Sequence, residues 1–287
     1  MVRKHIEKIP ARREDSHKGD YGRVFVIAGS VGMTGAAFLC CRGALRAGSG
    51  LVINGIPGSL NEIMEVKLTE AMTMPLAETR KRSLSRKAGK RILEFSRKCD
   101  AVVIGPGLGD AVETRALVKE LVKKIKCPVV LDADGINALK GNKGLLRKRK
   151  HRTVITPHPG ELARLIKKDT SSLQAQRTEI ATRLAEDTGT IVCLKGHRTV
   201  VADPAGQVYV NVTGNSGMAT AGTGDVLTGM IASFIGQGVD DFSSAVSAVY
   251  LHGLAGDIAA EKMGQFSMTA TDILEYLPRA FDRAGIF

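Results

Sequence analysis

Short unbroken apolar runs recur along this chain, and almost every one ends in a polar or glycine-rich cluster. Residues 23–28 (RVFVIA) form the first such run. Continuous apolarity over so few residues predicts a strand covered on both faces. A glycine-bearing turn follows over 29–35. Helical spacing of apolar positions then runs over 36–47, with Gly48 and Gly50 to stop it. A second strand at 51–56 completes a strand, turn, helix and strand in close succession, which predicts a parallel unit.

The same order repeats downstream. Strands are predicted at 101–104, 128–131, 153–155 and 190–194. They run into Gly105–Gly109, Asp132–Gly135, Thr156–Glu161 and Lys195–Thr199 respectively. Helices are predicted at 83–98, 111–124 and 172–188, with a short helix near 59–66 and a strand near 71–75. Residues 198–211 read as a hairpin about Pro204-Ala205-Gly206. Three helices, near 225–237, 243–262 and 271–284, finish the chain. No repeat or linker interrupts the pattern, so the expectation is one α/β domain over residues 1–287. In an open parallel sheet, ligands bind beyond the carboxyl ends of the strands. The clusters at 29–37, 105–109, 132–137, 156–161, 195–199 and 214–225 are therefore expected to converge on one edge.

Composition changes this picture little. Of the 287 residues 44% are hydrophobic and 24% charged, with aromatics at 4% and no Trp, so the core is aliphatic. The formal charge is +12, with basic runs at 80–91, 123–126 and 140–152. No aromatic residue is interleaved with those runs, which argues against nucleic-acid binding by base stacking. They read as solvated faces, or as a field that steers polyanionic small molecules. The five cysteines (Cys40, Cys41, Cys99, Cys127, Cys193) contain no C-x-x-C pair and suggest a reducing compartment. No signal-peptide core and no long apolar span is found, so a cytoplasmic location without membrane association is expected.

The chemistry centres on residues 211–230, NVTGNSGMATAGTGDVLTGM. Gly214, Gly217, Gly222 and Gly224 precede Asp225, and an apolar helical pattern begins there. A glycine loop entering a helix leaves backbone N–H groups unpaired, and the helix dipole adds positive potential. This predicts an anion site suited to phosphate. The acid at its mouth fits a base or a metal partner better than a phosphate ligand.

Other clusters supply partners. Gly105-Pro106-Gly107-Leu108-Gly109 permits close backbone approach, although neither a dinucleotide fingerprint nor a P-loop is present. Asp132 and Asp134 could hold Mg²⁺ or a water, or cap the next helix; capping is assigned to Asp134. His158 and Glu161 share a helix face between two prolines, a metal or phosphate environment. Zinc is not expected, for want of a second histidine or a cysteine pair at ligand spacing. Lys195-Gly196-His197-Arg198-Thr199 sets two cations at a strand end, as polyphosphate contact needs.

Together, HKGDYGRVFVIAGSVGMTGAA, VVIGPGLG, PVVLDADGINAL, VITPHPGEL, LKGHRTVVADP and NSGMATAGTGDVLTGMIASF resemble the ADP- or ATP-dependent NAD(P)H-hydrate dehydratase family. The resemblance runs from residue 17 to 236. It implies a ribokinase-like α/β fold with a mostly parallel sheet and helices on both faces. It also suggests the stand-alone form, without the epimerase domain that fuller members carry. The reaction it implies repairs hydrated NADH or NADPH. ADP or ATP, with Mg²⁺, phosphorylates the ring hydroxyl, and phosphate then leaves. The resemblance makes Asp225 the base on the hydroxyl, with Gly222, Thr223 and Gly224 as the anion hole. Lys195, Gly196, His197, Arg198 and Thr199 would contact the adenine nucleotide. Ala37, Gly107 or Gly109, and His158 would contact the hydrate, and Glu161 would organise Mg²⁺ through water. A homotetramer is also implied. A kinase of a small alcohol or vitamin precursor would use the same base and anion hole, and is the alternative.

Overall fold

The structure, a computed structural model, describes residues 2–169 and 176–286. Among these residues nine strands form one sheet: β1 (Arg23–Ile27), β2 (Leu51–Pro57), β3 (Met72–Leu76), β4 (Ala101–Ile104), β5 (Val129–Leu131), β6 (Thr153–Ile155), β7 (Ile191–Leu194), β8 (Val200–Ala202) and β9 (Val208–Val210). Their spatial order is β3-β2-β1-β4-β5-β6-β7-β8-β9. Neighbours are parallel through β7, and the β8–β9 hairpin closes one edge antiparallel.

The predicted α/β class with helices on both faces is what the molecule shows. Along β1, Val24 and Val26 enter one apolar cluster while Phe25 and Ile27 enter the other. Successive side chains point to opposite faces, so a strand covered twice must be apolar throughout. One layer holds α2 (Thr34–Arg46), which follows the four-residue α1 (Arg3–Ile6), and α3 (Asn61–Lys67). The opposite layer holds α4 (Gly89–Ser96), α5 (Val112–Lys124), α6 (Asp134–Asn137), α7 (Gly144–Arg147), α8 (Pro159–Ile166) and α9 (Arg177–Thr188). The last three helices, α10 (Thr223–Gly236), α11 (Asp241–Met263) and α12 (Ala270–Arg283), return to the first layer.

The contact of α2 with α10 positions the site. A Cβ on Gly43 would stand 2.4 Å from the Val226 carbonyl oxygen, and one on Gly229 would stand 2.0 Å from that of Cys40. Glycine at both positions lets the two backbones touch. The first turns of both helices are thereby brought to the same sheet edge.

Two local expectations change. The helix predicted over 83–98 begins at Gly89. Leu84 had fitted the helical period, but it is fully buried in a bridge to Glu78, and its carbonyl accepts the Thr114 hydroxyl at 2.8 Å. The residues ahead of β1 are docked on the body of the domain. Ile6 and Tyr21 are buried, and His5 Nδ1 lies 2.9 Å from Ser243 Oγ. Within the basic run at 140–152, Arg149 points inward and donates to the carbonyls of Val122, Ile125 and Cys127 at the end of α5. The helix predicted over 172–188 is seen from Arg177; its first residues, 172–175, lie outside the described residues.

Candidate active site

The predicted convergence of strand-end loops is present. The sheet order reverses between β1 and β4, and there the Gly29 N–H donates to the Pro106 carbonyl at 2.8 Å. Ser30 Oγ donates to the Gly107 carbonyl at 2.8 Å. The Gly109 N–H donates to Asp134 Oδ2 at 2.8 Å, and the Lys195 N–H to the Pro157 carbonyl at 2.9 Å. The loops after β1, β4, β5, β6 and β7 thus form one rim.

Asp134 corrects the sequence reading. It is the first residue of α6 rather than its cap; Ala133 occupies the cap position and makes no side-chain capping bond. The Asp134 carboxylate instead clasps the glycine loop after β4. Backbone crowding explains the shift: a Cβ on Gly105 would stand 1.8 Å from the Asp132 carbonyl oxygen, and one on Gly135 would stand 2.3 Å from that of Ile104. The turn between these contacts forces Ala133 to φ 46°, a costly conformation for a residue with a Cβ. That turn sends the Asp132 and Asp134 carboxylates to different partners.

Asp132 is 1% exposed. Its Oδ1 accepts from Lys195 Nζ at 2.5 Å and its Oδ2 from Thr228 Oγ1 at 2.8 Å. Lys195 therefore points into the rim. Its Nζ lies 3.1 Å from where a Cβ on Gly224 would stand, so the ammonium rests on the first turn of α10. Burial disfavours the lysine's charge, but Asp132 and Glu161 more than offset that and raise its pKa.

Asp225 lies one residue beyond. Burial, with the charge of Asp132 added, pushes its carboxyl up to about 7 despite Lys195. Gly222 caps α10 at φ 95°, and a Cβ there would strike Leu39 at 2.3 Å. His252 donates from Nε2 to the Thr223 carbonyl at 2.9 Å, and burial lowers its pKa to about 4, so the ring is neutral. Upstream, both Asp257 oxygens hold the loop: the Gly214 N–H donates at 2.8 Å and Asn215 Nδ2 at 3.0 Å.

His158 and Glu161 do share a face, and form a reciprocal cap on α8. The His158 N–H donates to Glu161 Oε2 at 2.8 Å, and His158 Nδ1 accepts from the Gly160 N–H at 3.0 Å. Pro159 suits the first helical position, where its missing N–H costs nothing. Burial raises Glu161 to about 7, opposed by Lys195. Burial, then Lys195 and Arg164, lower His158. Ala37, by contrast, is wholly buried in the first turn of α2, packed at the Gly29 position.

The Lys195–Thr199 segment is shaped by Arg177. This side chain donates to the carbonyls of Leu194, Lys195 and His197 at 3.0, 3.2 and 2.6 Å. It braces a turn in which Gly196 has φ 138° and Arg198 φ 54°. Beside it lies a cleft of about 560 Å³ lined by Arg177, His197, Arg198, Val200 and Val210 among others. Arg177, Thr228, Asp257 and His252 escaped the sequence reading. Thr228 alone left a trace, lying three residues after Asp225 on one helix face.

The family model for NAD(P)H-hydrate dehydratase matches residues 24–279. The chain belongs to the NAD(P)H-hydrate dehydratase family. It is similar to the bifunctional NAD(P)H-hydrate repair enzyme Nnr of Moorella thermoacetica, with 47% identity over 271 residues. That match takes in 94% of this chain and 51% of the relative, so the chain spans about half the length of such bifunctional proteins. It is 38% identical to the ADP-dependent (S)-NAD(P)H-hydrate dehydratase of Neisseria meningitidis, over 91% of this chain and 84% of that one. Among solved structures, the ADP/ATP-dependent NAD(P)H-hydrate dehydratase of Bacillus subtilis, co-crystallised with ATP and Mg²⁺, superposes with a TM-score of 0.85. It is 32% identical, and the match covers 99% of this chain and 97% of that one. The fold is accordingly the ribokinase-like one that the sequence resemblance implied.

Proposed function

We propose that this chain is an ADP- or ATP-dependent dehydratase that returns hydrated NADH or NADPH to the reduced dinucleotide. One observation carries the reading. A carboxyl that burial pushes up to about 7 stands at the first turn of α10, beside a glycine anion hole and one residue from where the Lys195 ammonium rests on Gly224. That is what deprotonating a hydroxyl during phosphoryl transfer requires.

The ring hydroxyl oxygen attacks the terminal phosphorus of ADP or ATP as Asp225 takes its proton, and AMP or ADP departs. The carbon–oxygen bond of the phosphate ester then breaks. Phosphate leaves, the ring loses a proton and its double bond is restored. The N–H groups of Gly222, Thr223 and Gly224 receive the transferring phosphoryl oxygens, at the positive end of α10. Lys195, Gly196, His197, Arg198 and Thr199 would take the nucleotide, with the cleft beside Arg177 for its base. Gly107, Gly109 and His158 would face the hydrate, with Ala37 behind them.

Among the described residues, no three His, Cys, Asp or Glu side chains are placed to hold a metal ion. Asp132 is already engaged by Lys195 and Thr228, and Glu161 by His158. These residues would suit a hydrated Mg²⁺ brought in with the nucleotide better than a protein-caged ion, and Glu161 would be the residue to hold it through water. Bound in that way, Mg²⁺ would neutralise phosphate charge.

Residues 1–287 would act as a single domain, in the cytoplasm, as a homotetramer. Among the described residues, no helix is long and apolar enough to cross a membrane. The test is to incubate the chain with NADH hydrate, Mg²⁺ and either nucleotide. Return of the reduced-nicotinamide absorbance is expected, and no return with ADP or with ATP sinks the proposal.

A further inference from the structure

One ammonium at the strand ends interacts with three carboxylates. Asp132 touches Lys195, while Glu161 and Asp225 interact with it through space. Asp132 is itself held in place. The Thr228 hydroxyl reaches its Oδ2 at 2.8 Å and the Gly224 carbonyl at 2.9 Å, tying the carboxylate to the same turn of α10 on which Lys195 rests. A buried ion pair is a weak source of stability, since apolar residues of equal volume often serve as well. Its place between the anion hole and the base points to another use.

We propose that Asp132 is a positioning residue, holding the Lys195 ammonium over the first turn of α10, where one cation meets both the incoming phosphoryl oxygens and the Asp225 carboxylate. This rests on the dehydratase reading and deepens it. Asp132 touches no substrate in the reaction; it acts through Lys195. As phosphoryl oxygens draw on the ammonium, its share of attraction for Asp225 falls. Asp225 then binds a proton more tightly at the moment it must accept one. The other groups around Asp225 are the carboxylates of Glu161 on α8 and Asp134 on α6, and the Cys40 thiol on α2, which burial keeps protonated. On α11, neutral His252 binds the Thr223 carbonyl.

The experiment titrates the Asp225 carboxyl by carbon-13 NMR in the intact chain, in wild type, Asp132→Asn, Lys195→Met and the double variant. Asp132→Asn removes an acidic neighbour and frees Lys195 for Asp225, so the midpoint should fall by about one pH unit or more, tenfold in proton affinity. Lys195→Met should raise it by a similar amount, and the double variant should lie between. In parallel, kcat of Asp132→Asn should drop about tenfold or more, with KM for ADP changed less than about threefold. If Asp132→Asn does not fold, Lys195→Met and Lys195→Arg decide: Met must raise the midpoint and Arg must restore it. Midpoints that stay put, or that move the same way in the Asp132 and Lys195 variants, overturn the proposal. So does an Asp132→Asn protein with unchanged kcat. The titration needs no turnover. Failure of the wild type to restore NADH would therefore count against the dehydratase reading, while the midpoints would still decide the role of Asp132.

Discussion

The rim has two halves built on different principles. After β1 and β4 it is made of backbone: Gly29, Gly32, Gly105, Gly107 and Gly109 all have positive φ, and Ser30 and Asp134 hold their loops by single hydrogen bonds. After β5, β6 and β7 it is made of charge: Asp132 and Glu161 are buried, Lys195 is half-buried against them, and Asp225 interacts with all three from α10. The glycine half excludes side chains so that a ligand can approach. The charged half tunes acidity by burial. The first should respond to changes of shape and the second to changes of charge and pH.

The largest effect should come from the charged half. Asp225→Asn is expected to lower turnover by about 10²-fold or more while ADP binding, measured by calorimetry, stays nearly intact. The same change should stabilise the fold. The Asp225 pKa is raised on folding, from 3.8 to about 7, so its ionisation costs stability as pH rises through that window and the full cost persists above it. Denaturant unfolding at pH 8 should show the variant more stable by ~1–3 kcal/mol, and the gain should vanish near pH 4. A variant no more stable at pH 8 would mean that Asp225 carries no such penalty.

In the glycine half, Gly105→Ala puts a methyl group 1.8 Å from the Asp132 carbonyl oxygen. Destabilisation of about 2–4 kcal/mol is expected from strain and displaced backbone. Because that contact reaches Asp132, the variant should disturb the charged half as well. Normal turnover in a folded Gly105→Ala protein would show the halves to be independent.

The pH profile gives a smaller, graded effect. Asp225 must be ionised to act as base, so kcat should fall about tenfold per pH unit below roughly pH 7. A flat rate from pH 8 to pH 5 would remove Asp225 from the base's role. The mildest change is Gly32→Ala. Nothing lies within 4 Å of the added methyl, and only its φ of 80° opposes it. Destabilisation near 1 kcal/mol, seen as a small shift in Tm, is expected, with turnover disturbed less than by Gly105→Ala.

The two halves also differed in how far the sequence disclosed them. Glycine loops after apolar strands are local signals, so the loops at 29–35 and 105–109 and the edge they share were legible in chain order. The glycine run ending in Asp225 was legible for the same reason. The charged half was read as residue types without their partners. Even in the glycine half, an Asp before a helix reads as a cap, and nothing local shows that the Asp134 carboxylate reaches the Gly109 N–H, 25 residues away. The basic turn at 195–199 was visible, but Asp132 and Lys195 lie 63 residues apart and meet only because β5 and β7 flank β6. Arg177 sits on a helix whose sequence gives no hint that it braces the next strand's turn. Leu84 shows the converse, a residue in helical register that the tertiary structure claims for a bridge.

The most direct test of the dehydratase mechanism is stoichiometry in a single reaction mixture. With NADH hydrate, ADP and Mg²⁺, one AMP and one inorganic phosphate are expected for each NADH restored, with no stable phosphorylated dinucleotide. A phosphorylated hydrate that accumulates while absorbance stays flat would make the site a kinase and contradict the mechanism.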